Sequence, residues 1–194
     1  MEKINPFYFS EPIAPLVAAR KHRKEISLHE VLGRVQKLEA KCERLIVEGS
    51  GGLLVPLGEG YTVLDLIVRL RCPVVVAARN RLGVINHTLL TVKTMQAVGI
   101  KRIDVVLMGC MERDTSAQTN EQMLKELLSP IRIFSIPFLG HKASRPAAVK
   151  NSCEKLKKTI ALLANSDSFD GVLLNDSQKR LATRTIVDSP RGGK

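Results

Sequence analysis

At 194 residues, with 44% hydrophobic and 25% charged positions, the chain suits one α/β core plus a tail, and no apolar run approaches the length that spans a bilayer. The net charge of +11 would attract an anionic partner, yet Trp is absent and aromatics reach only 4%, which argues against stacking platforms for nucleic acid. Cys42, Cys72, Cys110 and Cys153 are scattered without a C-x-x-C pair, so neither a zinc ribbon nor a disulfide framework is implied.

Residues 1–26 read as irregular, because Pro6, Pro12 and Pro15 interrupt any regular element. The opening residues lack the charged-then-apolar pattern of a secretory signal, which predicts a cytoplasmic protein. The basic excess gathers at Arg20–Lys24 and at Arg69, Arg71, Arg79 and Arg81. Without a helix-turn-helix, RNA-binding or zinc-finger signature, it reads as a solvated surface, with no nucleic acid or membrane as partner.

Ser27-Leu28-His29-Glu30 is a capping-box pattern that predicts a helix to about Arg44. Leu45–Val47 predicts a short buried strand, and Thr62-Val63-Leu64-Asp65 caps a helix to about Leu70. The apolar, β-branched run Pro73–Ala78 predicts a buried strand, followed by a helix from about Ile85 to Val98 that Gly99 ends. Ile103–Met108 predicts a strand, Ser116–Leu128 a helix, Ile131–Ile136 a strand, and 146–164 a last helix with Pro146 in its first turn. This alternation predicts an α/β fold: a mostly parallel sheet with helices on both faces. Residues 1–164 form the expected domain. Residues 165–194 are expected to be a flexible polar tail, with Val172-Leu173-Leu174 docking at most as one turn.

Three segments carry the chemistry. Leu45-Ile46-Val47-Glu48-Gly49-Ser50-Gly51-Gly52 ends an apolar run in a carboxylate and a glycine turn. Ligands of open parallel sheets gather at strand carboxyl ends, where an acid binds Mg²⁺ and bare amides meet an oxyanion. An ordinary strand-to-loop turn explains the pattern equally well. Arg79-Asn80-Arg81-Leu82-Gly83-Val84-Ile85-Asn86-His87-Thr88 joins a buried strand to a helix start, a place suited to a carboxylate or phosphate. Taken alone, Asn86 is better explained as a helix cap than as a ligand contact, and His87 as structural. Ile136-Pro137-Phe138-Leu139-Gly140 either borders a purine ring or plugs the core. No G-x-x-x-x-G-K-[ST] phosphate loop occurs in these residues.

In their order, Val-Glu-Gly-Ser-Gly-Gly, Thr62-x-x-Asp65-Leu66, Pro73-Val-Val-Val and Leu82-Gly83-x-Ile85-Asn86-His87-Thr88 resemble the dethiobiotin synthase family from about residue 4 to about residue 164. Asn5-Pro6-Phe7-x-Phe9-x-x-Pro12-x-x-Pro15 resembles that family's mid-chain segment. The resemblance implies a P-loop NTPase-like α/β homodimer that uses ATP, Mg²⁺ and CO₂ to close 7,8-diaminopelargonic acid into a cyclic urea. It implies Glu48 as a Mg²⁺ ligand and Gly49, Ser50 and Gly51 facing the phosphates. Gly51 and Gly52 would face the diamine, Gly83, Val84 and Asn86 its carboxylate across the dimer interface, and Pro137, Phe138 and Leu139 the adenine.

The chain departs from the family where Met108-Gly109 stands in place of an adenine-reading Asn and Ala14-Pro15-Leu16 in place of Ser-Pro-His. The family's opening strand, its P-loop and the strand bearing its catalytic lysine are expected to precede Met1, so no catalytic residue is assigned within these 194. The isolated chain is therefore expected to be inactive and truncated, with a gap in the sheet that exposes unpaired edges. The alternatives are a non-catalytic dimerising or ligand-binding module, and an amide-forming P-loop relative, against which the Ile-Asn-His-Thr segment argues.

Overall fold

A computed structural model of the chain describes residues 7–111, 114–141, 143, 145–164 and 184–188. The apolar runs become the strands β1 (Ile46–Glu48), β4 (Val74–Arg79), β5 (Ile103–Met108) and β6 (Arg132–Ile136). Helix α2 (Leu28–Glu39) precedes β1, α3 (Val63–Leu70), α4 (Val84–Ala97) and α5 (Asn120–Leu128) lie between the strands, and α6 (Pro146–Ala164) follows β6. The α/β expectation is met. Every pairing in the main sheet is parallel, and its order is β1-β7-β4-β5-β6, where β7 is Arg184–Asp188.

Alternation decides what each strand buries. Val74, Val76 and Ala78 of β4 join Ile103, Val105 and Leu107 of β5 on one face. That face packs against Val92 and Met95 of α4 and Leu124 and Leu128 of α5. Val75 and Val106 alternate to the other face and are buried as well. A second cluster joins Val35 of α2 to Leu66 and Leu70 of α3, with Leu45 and Val47 beside them. Asp104, 5% exposed, accepts two bonds from Arg132, Nε at 2.8 Å and Nη2 at 2.7 Å, directly across the β5–β6 register. Paired in this way the buried charge holds that register, because either partner alone would be stranded.

Several expectations are corrected. Residues 1–26 are not wholly irregular: α1 spans Pro15–Lys21, and Pro15 opens it instead of breaking it. Proline is tolerated at the first helical position, where its missing N–H has no intrahelical partner to lose. Helix α2 stops at Glu39, short of Arg44. A small hairpin, β2 (Pro56–Gly58) with β3 (Tyr61–Thr62), precedes α3 and is too short to show a period. The segment expected as one helix from Ser116 begins as a 3₁₀ turn, Thr115–Gln118.

The largest correction concerns the C-terminal segment and the gap in the sheet. Arg184–Asp188, expected within a flexible tail, lie between β1 and β4 and pair with both. The register sets Glu48 opposite Ile186 and Ala77 opposite Asp188. With the slot open, β1 would have no strand partner among the described residues, and β4 would leave a row of backbone groups unpaired. Thr185, Ile186 and Val187 are the residue types that suit such a slot. Val172-Leu173-Leu174 lies outside the described residues.

Candidate functional site at the carboxyl edge of the sheet

Because the five strands run parallel, Glu48, Arg79, Met108 and Ile136 end at the same edge, and the loops behind them share it. All three segments singled out in the sequence therefore meet at one side of the molecule.

Glu48 is the last residue of β1, exposed, and without an ion pair among the described residues. Gly51 turns the chain at φ +83°, a conformation that costs a residue with a Cβ. The loop is pinned from behind: Leu53, 5% exposed, anchors it in the core, and its carbonyl accepts the Leu64 N–H at 2.9 Å. The Val55 carbonyl accepts the Val63 N–H at 3.2 Å. Helix α3 is itself fixed by a complete capping box. Asp65 Oδ2 accepts from the Thr62 hydroxyl at 2.6 Å and the Thr62 N–H at 2.8 Å, and the Thr62 hydroxyl accepts the Asp65 N–H. Those bonds, the Thr62 side chain first, hold the Asp65 carboxyl below its ordinary value. Thr62-x-x-Asp65 thus serves the edge indirectly, by setting the start of the helix on which the glycine loop rests.

At the second segment Gly83 caps α4 at φ +90°, and no side chain caps that terminus. This decides the case of Asn86. It stands exposed in the first turn and leaves the cap to Gly83, so its amide is not committed to the backbone. Val84 is buried, and His87 is exposed with its backbone N–H donated to the Gly83 carbonyl at 3.1 Å. A fourteen-residue helix whose N-terminus has no side-chain cap presents partial positive charge to this edge.

The third segment is no core plug. Pro137 and Phe138 are exposed, Phe138 by 42%, and Ile136, Leu139 and Gly140 are half-buried. The His141 ring meets Phe138 edge-on with centroids 5.4 Å apart, and its Nε2 lies 2.9 Å from Met111 Sδ. Gly109 draws the loops after β5 and β6 together. Its N–H donates to the Ile136 carbonyl at 2.7 Å, and a Cβ there would lie 2.6 Å from the Phe138 nitrogen. The Met108-Gly109 departure therefore has a structural role, since only glycine lets the two strand ends approach so closely.

Two hollows, of about 370 and 240 Å³, lie away from this edge, one beside Ile131–Phe134 and one between α1 and Gly58–Glu59. The first lacks any cluster of convergent acids, and the second holds Glu25 and Glu59 among basic neighbours. Neither competes with the strand-end geometry.

The profile of a family described as an AAA domain matches residues 1–143. The ATP-dependent dethiobiotin synthetase BioD of Bacillus subtilis (strain 168) is 39% identical over 140 residues, covering 72% of this chain and 58% of the relative. That of Bacillus velezensis is 40% identical over 145 residues, or 74% and 62%. That of Bacillus cereus (strain G9842) is 32% identical over 172 residues, or 87% and 71%. The chain belongs to the dethiobiotin synthetase family. It spans just under three fifths of the length of the B. subtilis relative, at 58%.

For a dethiobiotin synthetase family member, the metal question can be tested on the donor set. Among the described residues no group of three or more His, Cys, Asp or Glu side chains could hold a metal ion. Glu48 offers one exposed carboxylate. That fits Mg²⁺ held by a single protein carboxylate, with phosphate oxygens and water completing the shell, and does not fit a cage built by the protein alone. No helix among the described residues is long and apolar enough to cross a membrane.

Sequence reasoning gave no role to Asn80, which lies in the second segment, and passed over Asp114 and Asn120; together they bind the loop before α4 to the loop after β5. Asn80 Nδ2 donates to the Ala117 carbonyl at 3.1 Å, and Asn120 Nδ2 donates to Asn80 Oδ1 at 2.9 Å. Asp114 Oδ2 accepts the Leu82 N–H at 2.7 Å. The one available signal was Asp114-Thr-Ser, whose acid can cap a turn, and it does so by accepting the Ala117 N–H at 3.1 Å.

Proposed function

We propose that this chain carries the metal-, diamine- and adenine-facing edge of a dethiobiotin synthetase. In that reading Glu48 is a Mg²⁺ ligand, and Gly49, Ser50 and Gly51 meet the phosphates of ATP. Gly51 and Gly52 meet the amines of 7,8-diaminopelargonic acid. Gly83, Val84 and Asn86 hold its carboxylate at the positive end of α4. Pro137, Phe138 and Leu139 border the adenine. The observation that supports the reading best is the shared edge: one exposed carboxylate and one helix terminus without a side-chain cap open on the same side of a parallel sheet.

The reaction would run in three steps. An amine of the diamine attacks CO₂ and forms a carbamate. The carbamate oxygen takes the γ-phosphoryl group of ATP, releasing ADP. The second amine then attacks the carbamoyl carbon, closing the cyclic urea as phosphate leaves. Mg²⁺, when bound, neutralises phosphate charge in this chemistry. The chain's own residues bind and orient: the glycine turn admits the reactants to backbone amides, and the start of α4 fixes the far end of the substrate.

These 194 residues contain no G-x-x-x-x-G-K-[ST] segment, so we assign them binding without turnover on their own. We place a second protomer against α4 and the loop before it, where Leu90 and Leu82 stand 60% and 79% exposed, and the protein in the cytoplasm. Calorimetry with 7,8-diaminopelargonic acid, with and without ATP and Mg²⁺, tests the reading. Diamine binding that strengthens with ATP and weakens in Asn86→Ala is expected, with no dethiobiotin formed. Turnover that Glu48→Ala abolishes would sink the claim of binding alone. Absence of diamine binding would sink the site assignment, and binding indifferent to ATP would favour a simple binding module.

A further inference from the structure

The loop Asn80–Gly83 has little packing to hold it. Arg81, Leu82 and Gly83 are all exposed, Leu82 by 79%. Yet this loop aims the N-terminus of α4, and its last residue sits in a left-handed conformation that any slackening would release. Polar bonds supply the missing restraint. The Asn80 N–H donates to the Met108 carbonyl at 2.8 Å, continuing the β4–β5 ladder by one residue. Asn120 opens α5 only 2% exposed. Its amide nitrogen lies within bonding distance of Asn80 Oδ1 at 2.9 Å, Ser116 Oγ at 3.3 Å and the Arg81 carbonyl at 3.5 Å. Asp114 accepts from Leu82 N–H on one oxygen and from the Ser116 hydroxyl and Ala117 N–H on the other. Each of the three side chains bonds across the two loops, and Asp114 and Asn120 also bond within their own.

We infer that Asp114, Asn120 and Asn80 form a positioning clamp that locks the start of α4 to the loop following β5, so that the helix terminus at Gly83–Asn86 is held ready for an anionic ligand. The clamp touches no part of the proposed ligand; it acts through the backbone of Leu82 and Arg81. Its consequence for the diamine rests on the function proposed above, whereas its effect on the loop does not. A buried amide that had lost its partners would carry a desolvation penalty, so the clamp opens as a unit and not bond by bond. The Asp114 carboxyl is held below its ordinary value, first by the Ser116 hydroxyl and next by the Leu82 N–H, as expected of a charged acceptor used on both oxygens.

The test uses the full chain and three variants, Asp114→Ala, Asp114→Asn and Asn120→Ala. Hydrogen exchange at Leu82–His87 is measured beside affinity for 7,8-diaminopelargonic acid. In Asp114→Ala and Asn120→Ala, exchange at Leu82–His87 should rise about tenfold or more, while the amides of Ile103–Met108 keep their protection. Diamine affinity should fall about tenfold, and Asp114→Asn, which keeps one acceptor oxygen of the two, should recover part of both effects. Unchanged exchange at Leu82–His87, or a loss spread evenly into β5, would overturn the clamp. If the loop loosens as expected but the parent chain binds no diamine, the clamp stands and the substrate assignment falls.

Discussion

Leu82 and Asp114 lie thirty-two residues apart in the chain, and their backbone amide and carboxylate meet at 2.7 Å. That contact joins the loop after β4 to the loop after β5 at the edge where the candidate site lies, and it has a signature in acid. Asp114 is depressed below its ordinary 3.8 by the Ser116 hydroxyl and by this N–H. A depressed carboxyl contributes stability that is complete above the unfolded value and is lost as pH falls through the folded one. The Leu82 amide proton shift should therefore titrate with a midpoint below 3.8, followed by two-dimensional NMR. A midpoint at or above 3.8 would contradict the bond.

Gly83→Ala separates backbone strain from crowding. An added Cβ would meet only the His87 ring, at 3.6 Å, which is ordinary contact. The cost comes from φ +90° and should be about 1–2 kcal/mol in a urea melt. A neutral result would mean that the helix start relaxes freely, and the terminus would not be a fixed feature.

Gly109→Ala probes the opposite case, with crowding and no unusual φ. The new Cβ would lie 2.6 Å from the Phe138 nitrogen and 3.0 Å from the Pro137 carbonyl carbon, both backbone atoms that cannot rotate away. The variant should lose about 1–3 kcal/mol, with NMR shift changes concentrated at Ile136–Leu139. If the stability is unchanged and those shifts hold still, the two strand ends are further apart than described.

Ile186→Pro tests the strand that completes the sheet. A residue between two parallel neighbours uses its N–H in one ladder or the other, and proline has none to donate. Hydrogen exchange should show Ile46–Glu48 losing protection while Ile103–Met108, two strands away and paired independently, keep theirs. Retained protection at Ile46–Glu48 would mean that β1 is held by something other than β7.

Much of this was legible without coordinates. Val74–Arg79 and Ile103–Met108 declare themselves by continuous apolar or alternating runs, and Thr62 with Asp65 by a cap four residues long. Glu48 is recognisable because an acid and glycines follow an apolar run. Asn86 reads as a cap because a cap is judged from neighbours, whereas the cap itself, Gly83, works through backbone conformation and leaves no side-chain sign. Pro15 reads as a breaker because proline looks alike before a helix and inside a loop, and only packing shows that the residues after it bury Ala18 and Ala19.

The sequence by itself determined most of the strands and helices, β4, β5, β6 and α3 among them, since those signals are local periods and caps a few residues long. Tertiary structure alone decided that Arg184–Asp188 enter the sheet between β1 and β4, and that Asn80, Asp114 and Asn120 meet. It alone decided that Gly109 must lack a side chain. The physical reason is shared: each depends on a donor finding its acceptor, or a backbone finding room, against a segment distant in the chain. Such choices are made by packing and by the cost of leaving backbone groups unpaired, and neither leaves a period to read.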